Sequence, residues 1–204
     1  MTEAPRSGLL GVLALQGDVP EHAQAARGLL GPDRVLEVRS PQDLARVSAI
    51  VLPGGESTTL SRLLDRSGLR DPLTERVRGG LPVLATCAGL ILLARELEPG
   101  TKGHEPKTLG VMDVKVRRND YGRQADSFET TLEVQGIGKD VPAAFIRAPR
   151  ILGVGPGVRV LAKVGEDPVL VREGRLWGLT FHPEVTGDPR LLRAFLVDAG
   201  LLPG

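Results

Sequence analysis

The chain has 204 residues, 41% of them hydrophobic, and its 26 Lys plus Arg against 25 Asp plus Glu leave a net charge of +1. That length can bury one substantial core, and the near-neutral balance removes the basic excess expected of a nucleic-acid or membrane-surface binder. One cysteine excludes an intrachain disulfide framework and a CxxC metal or redox site; residues 1–7 lack the layout of a signal peptide, and the apolar runs are too short to span a bilayer, so a soluble cytoplasmic protein is expected.

Residues 9–15 form a continuous apolar run, the pattern of a parallel strand buried on both faces. Residues 19–30 read as a helix stopped by Gly31-Pro32. Strands are expected at 35–38 and 49–52, and a helix at 57–64. Asp71-Pro72 opens another helix, with an N-cap followed by proline at the first helical position. A fourth strand over 82–86 runs into a helix over 89–97. Strands alternating with helices in this way give an α/β, doubly wound, mostly parallel sheet flanked by helices.

The second half reads differently. Residues 99–107 are rich in Gly, Pro and charge and form an expected exposed loop. Alternating patterns at 111–116, 127–134 and 143–147 suggest antiparallel strands added at the sheet edge. The β-rich run continues through 158–164, 168–172 and 175–181, with Glu173-Gly174 as a hairpin turn. Residues 189–199 close the chain as a helix. Without repeats, low-complexity tracts or linkers, residues 1–204 read as a single domain.

Cys87 carries the first chemical signal. The segment Leu84-Ala85-Thr86-Cys87-Ala88-Gly89 is a strand, one reactive side chain and then small residues opening a helix. Such a turn lifts its central residue above the sheet, as nucleophile elbows do. The helix N-terminus then aims backbone N–H groups at the same spot. A lone cysteine is equally readable as a small buried hydrophobe.

His182 and Glu184, in Phe181-His182-Pro183-Glu184, follow a predicted strand, and so fall on the same carboxyl edge of the sheet as Cys87. A thiol needs a base to become thiolate and an acid to protonate a leaving amine, and histidine does both. A carboxylate fixes its tautomer and balances the imidazolium. His182-Pro183-Glu184 also reads as a cap of the C-terminal helix. Pro53-Gly54-Gly55-Glu56-Ser57-Thr58 lies between strand and helix, so its amides reach the same edge. Together with the Ala88 N–H they could serve as an oxyanion hole. By itself the segment is a Gly-rich turn with Ser57 or Thr58 as helix cap.

Taken together, Thr86-Cys87-Ala88-Gly89, Phe181-His182-Pro183-Glu184 and Pro53-Gly54-Gly55-Glu56 resemble the class I (triad) glutamine amidotransferases. With Gly11 to Gly17, Leu52 to Thr58, Arg118 to Gln124, Asp126 to Glu129 and Phe145-Ile146-Arg147-Ala148-Pro149, the chain is similar to the glutaminase-subunit family of pyridoxal 5′-phosphate synthase. The resemblance implies a flavodoxin-like class I amidotransferase fold. It implies that Cys87 forms a γ-glutamyl thioester, that His182 is the acid/base and that Glu184 orients it. Gly55, Glu56, Ser57, Arg118, Ile146 and Arg147 would hold L-glutamine, and Gly55 and Ala88 would form the oxyanion hole. Arg118 and Arg147, without the family, read as surface ion pairs.

No metal and no cofactor are implied for this chain. Its ammonia would pass to a synthase (lyase) subunit in a large ring-shaped dodecameric assembly for vitamin B6 biosynthesis, with Gln16 facing the path or interface toward that partner. A free subunit of low activity is expected, its Gly54-Gly55 peptide wrongly oriented. Asp120 departs from the family, which carries a small hydroxyl residue there, and the 99–107 loop is longer than expected. A glutaminase serving another synthase, or a catalytically silent binding relative, are the rival readings.

Overall fold

Apolar runs with no polar face have one stable destination, the middle of a sheet covered on both sides. A computed structural model describes residues 8–98, 105–118 and 127–204. In chain order these form β1 (Leu9–Leu13), α1 (Val19–Leu30), β2 (Val35–Val38), α2 (Pro41–Arg46), β3 (Val47–Leu52), α3 (Ser57–Arg66), α4 (Arg70–Arg78), β4 (Val83–Thr86) and α5 (Ala88–Leu93). There follow β5 (Ala94–Leu97), β6 (Met112–Arg117), β7 (Phe128–Val134), β8 (Gly138–Phe145), β9 (Arg150–Val154), β10 (Arg159–Val164), β11 (Asp167–Glu173), β12 (Leu176–Leu179) and α6 (Arg190–Asp198).

The main sheet has the order β10-β11-β12-β4-β3-β1-β2. Its strands from β12 to β2 are mutually parallel, while β11 and β10 join antiparallel at one edge. Every residue of β4 and β12 is buried. Alternate side chains of β1 and β3 feed two separate cores: Leu10, Val12, Ala49 and Val51 meet α1, α6 and the β7–β8 hairpin. Leu13, Ile50 and Leu52 meet α2 to α5 and β6. The mostly parallel α/β sheet flanked by helices is therefore the architecture present. Among the described residues no helix is long and apolar enough to cross a membrane.

Several local expectations need correction. The strands foreseen at 111–116, 127–134 and 143–147 do not extend the main sheet. They form β6, paired with β5 and β9 in a three-stranded sheet, and the separate β7–β8 hairpin. Their apolar faces pack onto the two cores, so they lie over the main sheet instead of lengthening it. The helix foreseen over 89–97 ends at Leu93, because Ala94 turns extended (ψ 140°) and the chain pairs parallel with β6. An unbroken apolar run from Leu90 to Ala94 carries no period that would mark this change.

The helix α4 begins at Arg70, before Asp71-Pro72, with Leu69 at the N-cap. The two residues joining β11 to β12 are Gly174 and Arg175, one position later than expected, with Gly174 at φ 57°. Of the 99–107 segment, residues 99–104 lie outside the described residues. Lys107 is held by its backbone: its N–H donates to Ser61 Oγ at 2.9 Å, and its carbonyl accepts from the buried Arg70 guanidinium at 2.9 Å.

The turn from β4 into α5 depends on Gly89. A Cβ there would sit 2.2 Å from the backbone oxygen of Leu52 on the neighbouring strand β3, and backbone in the middle of a sheet cannot move aside. Gly89→Ala is expected to cost about 1–3 kcal/mol through this overpacking, read as a lowered denaturant midpoint with an unchanged slope.

Candidate active site

Four adjacent parallel strands deliver the site, each from its carboxyl end: β12, β4, β3 and β1. β4 ends at Thr86, and Cys87 follows with φ 47° and ψ −101°. This left-handed backbone is costly for a residue with a Cβ and persists only when the surroundings enforce it. Here the Cys87 N–H donates to Leu179 O on β12 at 2.9 Å, and α5 starts at once with Ala88. Cys87 is 6% exposed. Cys87 thus stands on the elbow that its sequence suggested.

β12 leads through Thr180 and Phe181 to His182. The His182 N–H donates to Ala144 O on β8 at 2.8 Å. Phe145 stacks on Phe128 with ring centroids 4.5 Å apart and lies 5.5 Å from Phe181. The β7–β8 hairpin therefore fixes the base from outside the main sheet. A short 3₁₀ turn at Pro183–Val185 folds Glu184 back under the imidazole, where its Oε1 lies 2.7 Å from His182 Nδ1. Residues 182–184 do not cap α6: the Arg190 N–H at its start donates to Asp188 Oδ1 at 2.8 Å.

The geometry adds two residues that no motif indicated. Asp18 Oδ2 lies 3.3 Å from the same His182 Nδ1. His22, 2% exposed on α1, places Nε2 3.1 Å from Thr86 Oγ1 and 3.4 Å from Glu184 Oε2. Asp18 stands at the N-cap of α1 yet makes no side-chain cap hydrogen bond; an aspartate there reads in sequence as a cap, which conceals its contact with a histidine far along the chain.

Burial works against a charged His182, but hydrogen bonds with Asp18, Cys87 and Glu184 outweigh it, and the imidazolium is pushed up to about 12. The hydrogen bond to His182 holds Asp18 below the ordinary carboxylate value. Burial pulls His22 down, against the pull of Glu184 and Asp18, so it is neutral. His182 Nε2 is buried without a full hydrogen bond, which leaves that nitrogen free for a proton exchanged with the sulfur or with a leaving group.

Ligand atoms of Asp18, His182 and Glu184 lie within 4.8 Å of one another. Two ligands of a tetrahedral zinc stand about 3.3 Å apart, whereas Nδ1 and Oε1 are 2.7 Å apart. The 2.7 Å spacing is that of a charge-assisted hydrogen bond.

Cys87, His182 and all six residues expected to hold substrate line one cavity of about 250 Å³. Gly55 has φ 137° and touches Gln16, whose Oε1 accepts the Glu56 N–H at 3.0 Å. Gly54 leaves no room for a side chain, since a Cβ would lie 2.4 Å from His182 Cε1. The cap of α3 is Glu56, not Ser57 or Thr58: its carboxylate accepts the N–H groups of Thr58 and Thr59 at 3.0 and 2.6 Å. Burial raises the Glu56 carboxyl, but its bonds to Thr59 and Thr58 prevail and hold it at about 2.

Arg118 reaches Thr58 Oγ1 at 3.2 Å and Glu56 Oε1 at 3.4 Å, so it does form an ion pair, within the cavity wall. Ile146 is 41% exposed and Arg147 has φ 48°. Asp120 and the rest of the 119–126 segment lie outside the described residues.

The profile of the SNO glutamine amidotransferase family matches residues 12–200. Over 188 residues the chain is 50% identical to the pyridoxal 5′-phosphate synthase subunit PdxT of Thermotoga maritima, covering 92% of this chain and 97% of that one. It is 52% identical over 194 residues to the subunit of the same name from Parafrankia sp., covering 95% and 92%. A crystal structure of a glutamine amidotransferase superposes with a TM-score of 0.87 at 46% identity, over 95% of this chain and all of that one. A glutamine amidotransferase structure from Thermotoga maritima, at 16% identity and a TM-score of 0.58, covers 94% of each chain and shares the fold.

The opposite shifts of the two buried histidines are measurable. The His182 value lies above the ordinary 6.5, so its contribution to stability is complete below about pH 6.5 and is lost as the pH rises toward about 12. Nitrogen-15 NMR of labelled histidine is expected to show His182 doubly protonated at pH 8 and His22 neutral. Cys87→Ala should move the His182 titration down, toward the ordinary value.

Proposed function

The chain belongs to the SNO glutamine amidotransferase family, and we propose that Cys87, His182 and Glu184 carry out its chemistry. The protein is the glutaminase subunit of a pyridoxal 5′-phosphate synthase: it hydrolyses L-glutamine to L-glutamate and ammonia and supplies the ammonia to the synthase subunit. The observation that most supports this assignment of residues is the strained Cys87, held at φ 47° beside an imidazole that two carboxylates keep charged. A silent binding module would have no use for that strain.

In the first half-reaction the Cys87 thiolate, balanced by the His182 imidazolium, attacks the glutamine carboxamide carbon and forms the S–C bond. The resulting oxyanion takes hydrogen bonds from the Gly55 and Ala88 N–H groups, each such donor being worth about 10²–10³ in rate. As the tetrahedral intermediate collapses, the C–N bond breaks and His182 Nε2 gives its proton to the departing ammonia. In the second half, neutral His182 takes a proton from water as the oxygen adds to the thioester. Collapse then expels the thiolate, and glutamate leaves.

Gly55, Glu56, Ser57, Arg118, Ile146 and Arg147 hold the substrate, since all of them wall the cavity over Cys87. A guanidinium suits the α-carboxylate through charge-assisted bonds, and the Glu56 carboxylate, held at about 2, stays charged to fix Arg118. Gln16 braces the Gly54–Gly55 loop from the β1 side, a position from which a docked synthase could correct the orientation of that peptide. Residues 1–204 act as one glutaminase domain and work in the cytoplasm, where the thiol stays reduced, within a ring-shaped dodecameric assembly that the family resemblance supports.

Glutamate release from glutamine, with and without the synthase subunit, tests the reading. Strong stimulation by the synthase is expected, abolished in Cys87→Ala and lowered at least about 10²-fold in His182→Ala. Full activity in Cys87→Ala would overturn the assignment. Partner-independent turnover would instead point to another synthase.

A further inference from the structure

The first turn of α1 holds both side chains that stand behind Cys87. The His22 N–H donates to Asp18 O at 3.2 Å, which places the two residues one turn apart on the same helix face. From there Asp18 reaches His182 Nδ1 at 3.3 Å, and His22 reaches Glu184 Oε2 at 3.4 Å. Two carboxylates therefore compete for a single N–H of His182, with Glu184 the nearer at 2.7 Å. Glu184 has to be kept in that place, and its second oxygen, Oε2, is buried without a hydrogen bond of its own.

His22 is the group set to do this. Its ring is tied to Thr86 Oγ1 at 3.1 Å, the residue directly before Cys87. A proton on Nε2 lies toward the Thr86 hydroxyl and the Glu184 carboxylate together, whereas the other tautomer would aim a lone pair at a carboxylate. Electrostatics selects the Nε2–H form. The charged or titratable neighbours that act on His22 are Glu184, Asp18, His182 and Glu21.

We propose that His22 is a positioning residue of the glutaminase reaction: tied to Thr86 beside the Cys87 turn, its Nε2–H faces Glu184 Oε2 at 3.4 Å and closes onto that oxygen in the working complex, so that Glu184 stays against His182. Without the donor, nothing on the His22 side opposes rotation of Glu184 away from His182 Nδ1. Asp18 then becomes the principal partner of Nδ1 at a less favourable distance. A cavity of about 500 Å³ lined by His22 and Glu184 together with Ala25, Leu29 and Leu192 adjoins this pair.

This inference rests on the glutaminase reading, and its test separates the two. Wild type, His22→Phe and His22→Gln are compared in the complex with the synthase subunit, by glutamate release across pH and by the pH dependence of Cys87 alkylation with iodoacetamide. Phenylalanine fills the space without a donor, while glutamine returns an N–H to it. His22→Phe is expected to lose about 10- to 100-fold in kcat, as loss of an orienting partner typically does, with KM nearly unchanged. The pH profile of His22→Phe should depart from that of wild type, and His22→Gln should recover most of the loss.

Equal loss in both variants at unchanged thermal midpoint, or a wild-type profile in His22→Phe, would overturn the proposal. If wild type itself releases no glutamate, the glutaminase reading fails. The alkylation profiles still decide on His22: a shift in His22→Phe that is absent from His22→Gln supports its role, and superposable profiles refute it.

Discussion

A buried imidazole carrying a proton is costly to hold, because low-dielectric surroundings favour its neutral form. His182 is 4% exposed and is nonetheless held as a cation. The compensation comes from three directions: Glu184 from its own turn, Asp18 from the N-cap of α1, and the sulfur of Cys87 from the end of β4. No single segment of chain could surround one ring in this way. Adjacent parallel strands with a common carboxyl edge can, since each ends about 4.8 Å from the next and releases its loop on the same side.

The glycines follow from the same crowding. Gly54 lies against His182 Cε1 and Asp18, Gly17 against the Gly54 carbonyl, and Gly89 against the Leu52 carbonyl. Main chain approaches main chain at these points because the charged groups have to converge within a few ångströms. The strained backbone of Cys87 belongs to the same bargain: the hydrogen bond to Leu179 O and the immediate start of α5 leave its φ no easier value.

What could be read in the sequence was whatever is local. β2, α1 and the start of α3 were legible from apolar runs, Gly31-Pro32 and the glycine-rich turn, since each depends on a dozen neighbouring residues. Cys87, His182 and Glu184 stood out because each sits in a short motif at a strand end. Asp18 and His22 did not, as their meaning arises from contact with residues 64 or more positions later, and an aspartate before a helix suggests only a cap. α2 was missed although Ser40 and Asp43 form a capping box around Pro41; six residues give too short a period. β9 and the division between α5 and β5 were hidden because pairing with β6, not composition, defines them. Glu56 was placed in the substrate pocket, and it lines that pocket, but its carboxylate is occupied with the N–H groups of α3.

Cys87 is the only sulfhydryl in the chain, and this gives the protein a particular relation to oxidants. A sulfenic acid formed at Cys87 has no second thiol in the chain with which to close a protective disulfide, and further oxidation is irreversible. Oxidative damage to the thiols and loss of turnover are then one event, counted on one atom. The burial of Cys87 therefore acts as its shield as well as its setting, and any reagent that titrates thiols in the folded protein counts working centres directly.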